Sequence, residues 1–322
     1  MKTSINILLV FLFAACTSVP DERMTPYVDF PETRELTART LSLDSALFRY
    51  PYRVRVQDDK AVVLDLHGTE YFFHAFHYPG FHYLSSFGKR GDAPEEMLSA
   101  ENLRWNGNFL WTLDSNKSEL TRLGFASSGD SLLRLEAVSL DEELLRALDF
   151  VQYDDSTFII PDYSGDSRFC LVSRQGKLLH KIGTIPTTDE DALKNAHPAL
   201  AQAWRSFIDY NPRNGVLAAV TQLGEVLEIY NLKDSTHIVR IGPNGEPEFQ
   251  ISQGYGIPTG IMGFSDIQVT DSAIYVVFQG RAFKDIMQKA QQGINLPDGG
   301  QNIYVFSLEG KPLRKYVLDH YI

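Results

Sequence analysis

The chain has 322 residues, 43% apolar and 12% aromatic, with 41 acidic against 30 basic side chains and a formal charge of −11. That balance gives no charge-driven hold on a nucleic acid backbone or on anionic lipid. The apolar share is enough for a sizeable core, and the 15 Tyr and 20 Phe lean toward β structure.

Residues 1–15 predict a secretory signal peptide: Lys2 is the only charge, Ile5 to Phe13 is apolar apart from Asn6, and small Ala14 and Ala15 follow. The run is shorter than the roughly 20 residues of a bilayer span. Phe13-Ala14-Ala15-Cys16 resembles a bacterial lipobox, with Phe13 where Leu is usual. The resemblance implies that Cys16 is acylated and begins the mature chain, held to the membrane by lipid. Thr17 stands where an Asp would signal inner-membrane retention, so the outer membrane is expected, on either face. Residues 16–34 are expected as a tether and 35–322 as one domain. With Cys16 committed to lipid, Cys170 in "RFCLV" has no disulfide partner and is expected as a buried, inert thiol.

Beyond the tether the chain repeats itself. "YRVRVQDDKAVVLD" from Tyr52, "NLRWNGNFLWTLD" from Asn102, "DFVQYDDSTFIIPD" from Asp149, "IDYNPRNGVLAAVT" from Ile208 and "SDIQVTDSAIYVVF" from Ser265 each read as strand, polar turn, apolar strand. The apolar strand ends at Asp65, Asp114 and Asp162 in the first three. A second half-unit follows each, with Gly176 and Gly310 in tight turns. Four strands per unit, recurring about every 45 to 60 residues, predict an all-β β-propeller whose second strands are buried on both faces. Thr188 to Phe207 predicts two short helices divided at Pro198, Ser139 to Leu148 a third, and "FKDIMQKAQQG" a fourth ended by Gly293.

The lipobox, "FGKRGDAPEEM" from Phe87 and the closing "NIYVFSLEGKPLRKYVLD" from Asn302 resemble the TolB-like six-bladed propeller lipoproteins of Gram-negative bacteria. The resemblance implies fold more than function. Five units are recognisable here, so either five blades close, or an incomplete sixth is filled by loops, or the chain is shortened. "LTARTLSLD" from Leu36 and "LRKYVLD" from Leu313 are expected in the seam where the ring closes, next to each other or separated by one incomplete blade.

No nucleophile elbow, metalloprotease helix, Walker loop or dinucleotide fingerprint occurs, and no catalytic residue is assigned. His67, His74, His77 and His82 alternate across strand faces or a turn and are not expected to share a metal. No cofactor is implied. "DSNKSE" from Asp114 lacks the glycine and distal glutamate of a calcium loop. The charged insert after the first unit supplies candidate ligand contacts: Lys89, Arg90, Asp92, Glu95 and Glu96. The resulting expectation is an envelope-anchored binding or scaffold module for a protein or glycan. The alternative is a propeller hydrolase or lyase acting on extracellular peptide or polysaccharide.

Overall fold

A computed structural model describes residues 24–41, 43, 48–129 and 131–322, and the signal peptide and Cys16 lie outside them. Two short strands come first, β1 (Met24–Pro26) and β2 (Thr33–Leu36). Five four-stranded antiparallel blades follow in chain order. Blade 1 holds β3 (Pro51–Gln57), β4 (Lys60–Asp65), β5 (Tyr71–His77) and β6 (His82–Lys89). Blade 2 holds β7 (Asn102–Asn106), β8 (Phe109–Asp114), β9 (Glu119–Phe125) and β10 (Leu132–Ser139). Blade 3 holds β11 (Val151–Asp154), β12 (Thr157–Pro161), β13 (Phe169–Ser173) and β14 (Leu178–Ile182). Helices α1 (Glu190–Asn195) and α2 (His197–Ala203) precede blade 4, which is β15 (Ser206–Asn211), β16 (Val216–Thr221), β17 (Val226–Asn231) and β18 (Thr236–Ile241). A separate hairpin, β19 (Phe249–Ser252) and β20 (Tyr255–Pro258), lies against α2. Blade 5 is β21 (Phe264–Val269), β22 (Ile274–Phe278), β23 (Asn302–Phe306) and β24 (Pro312–Leu318), with α3 (Phe283–Gln291) inserted before β23.

The predicted units are these blades, and their first two strands are the quoted repeats. Apolar second strands place side chains on alternate faces, so one strand feeds two inter-blade cores. Val62 and Leu64 of β4 pack with Leu103 and Leu110 of blade 2. Trp111 and Leu113 of β8 meet Phe158 and Ile160 of β12. Ile159 of β12 meets Ile208 and Leu217, and Ala218 and Val220 of β16 meet Ile274 and Val276 of β22.

The fifth junction is built differently. The other face of β4, Ala61 and Val63 with Phe76, is covered by Leu43, Phe48 and Phe81 rather than by a blade. On β22 only Ile274, Val276 and Phe278 are buried, while Tyr275 between them is 37% exposed. Val54 and Val56 of β3 are 45% and 42% exposed. Blades 5 and 1 meet instead through their inner strands: Arg55 grips Asp266 with two hydrogen bonds of 3.0 and 2.9 Å, and Arg53 reaches Asp266 at 3.2 Å and the Ser265 carbonyl at 3.3 Å. Five blades therefore make the ring, and the junction is polar inside and loop-filled outside.

The N-terminal segment corrects two expectations. Residues 24–34 are not a free tether: β1 adds in parallel to the outer strand β18 of blade 4, and β2 to the outer strand β24 of blade 5. Tyr27 and Phe30, between these strands, enter the core of blades 4 and 5 at 6% and 8% exposure. The strand that meets the end of the chain is Thr33–Leu36 rather than the stretch after Leu36, and it straps the rim instead of completing a blade. The helix expected over Ser139 to Leu148 is absent. Leu140, Leu144 and Ala147 insert into the core between blades 2 and 3, and Arg146 adopts a positive φ of 48°, which breaks a helix. The helices α1, α2 and α3 fall where expected, with Pro198 in the first turn of α2 and Gly293 at φ +73° just beyond α3.

Candidate functional site

The recurrent Asp at the end of the second strand positions the site. Asp65, Asp114 and Asp162 are buried carboxylates. Asp65 accepts hydrogen bonds from the Arg49 and Tyr50 backbone N–H groups at 2.9 and 2.7 Å, fixing the lead-in to β3. Asp114 accepts from Leu98 N–H at 2.7 Å and Ser99 Oγ at 2.9 Å, fixing the lead-in to β7. Asp162 accepts from the Ser164 and Ser167 N–H groups and faces Lys181 at 3.1 Å, shaping the loop that carries Tyr163. Three blades present the residue before their first strand at one end of the ring axis. Tyr50 directly precedes β3, Glu101 precedes β7 and Arg205 precedes β15.

These residues line a cavity of about 310 Å³, together with Tyr52, Leu66, His67, Leu148, Phe207 and Asp298. That volume lies at the small end of small-molecule sites, about 300–1,000 Å³. Tyr50 stacks on Tyr52 with ring centroids 6.0 Å apart and faces His67 at 5.2 Å. Burial and the neighbouring Asp298 charge push the Tyr50 phenol up to about 12, so it stays protonated and hydrogen-bonds to Asp298.

Further along the axis the inner strands exhaust their charges on one another. Arg104 of β7 pairs with Asp149 at 3.0 Å and with Asp209 of β15 at 2.6 Å, and also donates to the Ile208 carbonyl. Asp149 and Asp209 accept from the Ile208 and Val269 N–H groups at 2.9 and 2.7 Å. Burial raises the Asp209 carboxyl above its ordinary value despite Arg104. At Asp266 burial also pushes upward, but the Arg53 and Arg55 charges outweigh it and hold the carboxyl well below the carboxylate range. Arg53 also lies over the Phe207 ring at 4.9 Å. This hub joins blades 1, 2, 4 and 5 and makes a floor beneath the mouth.

Arg53 Nε of the hub has no partner, but its guanidinium is paired with Asp266; the mouth differs in holding a guanidinium with no acid beside it. Among the described residues, the Arg205 side chain makes no hydrogen bond and no ion pair, and its buried Nε has no partner. The buried Tyr163 Oη is also unpartnered. Burial pushes that phenol up to about 12, and it lies close enough to feel the Arg205, Asp149 and Glu101 charges. Tyr163 lies outside the cavity lining, whereas Arg205 lines it and brings a guanidinium with no paired acid to a place where a polar group of a ligand would meet it.

The sequence-selected insert lies elsewhere, on the connection from blade 1 to blade 2. Lys89 pairs with Glu96 at 2.7 Å, Glu95 with Arg134 at 3.2 Å, and Arg90 donates to the Gly68 carbonyl at 2.9 Å while covering the Phe72 ring. Lys117 Nζ adds bonds to the Ala93 and Glu96 carbonyls. Asp92 is exposed beside them. Lys89, Arg90, Glu95 and Glu96 are engaged at the blade junction, and none of the five lines the mouth. Of the four histidines only His67 reaches it. His74 bonds Ser86 Oγ at 2.8 Å, His77 faces Asp59 at 3.6 Å, and His82 is exposed. Among the described residues no group of His, Cys, Asp and Glu side chains could hold a metal ion. A larger cleft of about 770 Å³ lies on the rim between blades 2 and 3. Its cations are already paired, Arg174 with Glu136 at 2.5 Å and Lys177 with Asp141 at 3.6 Å, while Glu142 is exposed. Size favours the rim cleft, but free donors and convergence of several blades favour the mouth.

Comparison with known proteins gives the fold. The model of the TolB-like 6-blade propeller-like family matches residues 29–322. Among solved structures, a protein of Bacteroides fragilis NCTC 9343 whose name assigns it to exported proteins has a TM-score of 0.51 at 11% identity, covering 88% of this chain and 80% of the other. A DUF4221 family member from Bacteroides vulgatus has a TM-score of 0.49 at 10% identity, with 84% and 81% covered. No curated protein matches the sequence.

Proposed function

Because this chain belongs to the TolB-like six-blade propeller family, we propose that it is a binding module of the cell envelope whose ligand enters the central mouth. The observation that carries the reading is the Arg205 guanidinium, which lines that cavity with no paired acid, above a hub whose arginines each have one. A preorganised cavity with aromatic walls and a few free polar groups suits a small polar ligand or the end of a larger one. The envelope address rests on the signal-like residues 1–15 and on Cys16, which would carry an outer-membrane lipid anchor. The export named for the Bacteroides fragilis protein agrees with that address. Partners are accordingly glycan or protein components of the envelope.

Two experiments test this. Cys16→Ser should move the protein out of the membrane fraction or leave it unprocessed, and fractionation and gel migration both unchanged from the parent would refute the anchor. The soluble Cys16→Ser domain should retain envelope-derived glycan or peptide fragments unaltered at equilibrium. Product formation that disappears in Glu101→Gln or Asp298→Asn would replace the binding reading with hydrolase or lyase chemistry.

A further inference from the structure

Resting on the mouth as the binding site, the geometry points to a ligand class: we propose that it takes a uronic acid, free or at the end of a glycan, with its carboxylate on Arg205. Four arginines in the hub and blade cores, Arg53, Arg55, Arg104 and Arg168, each answer a buried or half-buried carboxylate. Arg205 alone among the arginines around the axis faces a cavity with no acid paired to it. A guanidinium is planar and forked, and its natural complement is a carboxylate held by two parallel hydrogen bonds. A cationic ligand would be repelled by it, and a neutral ligand would leave its charge without a counter-ion.

The rest of the mouth matches a hydroxylated ring. The Tyr50–Tyr52 stack offers an aromatic wall for the C–H face of a pyranose, and Phe207 and Leu148 complete an apolar surround. Glu101 and Asp298 are acceptors for sugar hydroxyls, and Glu101 is itself oriented by Ser115 Oγ at 2.8 Å. One cation against two acids sets the polarity within the site: the anionic group of the ligand is confined to the Arg205 side and its hydroxyl donors to the other. The chain's charge of −11 works against anions in general, so selectivity for this one rests on the local guanidinium.

The test is isothermal titration of the soluble Cys16→Ser domain with glucuronate and galacturonate, set against glucose, galactose, acetate and an alanyl dipeptide. Uronates should bind at least tenfold tighter than the neutral sugars and than acetate. Arg205→Ala should remove that preference, and Arg205→Lys should restore only part of it. Arg205→Gln keeps much of the side chain and removes the charge, so it should lose the preference as Arg205→Ala does. That variant keeps the test valid if Arg205→Ala folds poorly. Neutral sugars or the dipeptide binding as well as uronates, with that binding blocked by Leu148→Trp at the mouth, would overturn the uronate inference and leave the mouth reading standing. Uronate binding that survives Leu148→Trp would overturn both.

Discussion

Glu228 is fully buried in β17, yet its carboxylate accepts from Arg168 Nε at 2.9 Å, Arg168 Nη2 at 2.6 Å and Tyr230 Oη at 2.8 Å. Arg168 is completed by Ser206 Oγ at 2.6 Å and the Trp204 carbonyl, so it holds the lead-in from α2 to blade 4, including Arg205. Glu228→Gln leaves the Arg168 charge buried and uncompensated, which costs about 3–5 kcal/mol. Urea denaturation measures it, and a loss below about 1 kcal/mol would show that the pair does not organise the junction. Asp266 gives a pH signature. Its carboxyl is depressed in the folded state because Arg53 and Arg55 outweigh burial. Its contribution to stability is therefore full above the unfolded value of about 3.9 and is lost as pH falls through the folded one. Asp209, raised by burial, has the opposite sign: its contribution belongs to low pH and fades as pH rises. Asp266→Asn should flatten the fall in stability below about pH 4, and acid-limb slopes equal to the parent's would contradict this. Cys170 is buried, and burial pushes its thiol up to about 12. In the Cys16→Ser protein, a thiol reagent at pH 8 should label nothing until denaturant is added. The inertness of Cys170 was legible from the apolar "RFCLV". Arg205 was not, because "QAWRSF" carries no sign that the residue after a helix faces a channel. The usable signal was positional: in three of the five blades the residue before the first strand reaches the mouth, as Tyr50, Glu101 and Arg205.

At the scale of elements, the blades were readable because their second strands are short apolar runs after polar turns, a pattern set by burial on both faces. The strap β1–β2 was not. "MTP" and "TREL" are too short and polar to announce strands, and they pair only because β18 and β24 offer open parallel edges. What secures the strap is its apolar pair. Tyr27 and Phe30 contact Phe306 with ring centroids 5.2 Å away in each case, and the Tyr27 hydroxyl donates to Glu225 at 2.7 Å. Phe30→Ala should cost about 3–5 kcal/mol. Deleting residues 17–36 should lower the melting temperature and promote self-association, since two strand edges become unpaired. A melting curve and sedimentation profile unchanged from full length would show the strap to be dispensable.

At the scale of the molecule, the seam between blades 5 and 1 sets the shape. A six-blade family member with five four-stranded sheets must close a wider angle per blade, and here the junction does so by ion pairs on the axis and a loop plug outside. The five units were countable in the sequence, but their closure was not, because Arg55 and Asp266 lie 211 positions apart and belong to no motif. The same holds for the mouth, whose lining comes from lead-ins scattered from Tyr50 to Asp298. The central claim is that this mouth, and not the larger rim cleft, is the binding site. Saturation-transfer NMR with envelope-derived glycan and peptide fragments tests it on three proteins: the Cys16→Ser parent, Leu148→Trp at the mouth, and Ala137→Trp in the rim cleft. Transfer should be seen with the parent and with Ala137→Trp and be lost with Leu148→Trp. Transfer that survives Leu148→Trp and disappears with Ala137→Trp would move the site to the rim and contradict the account.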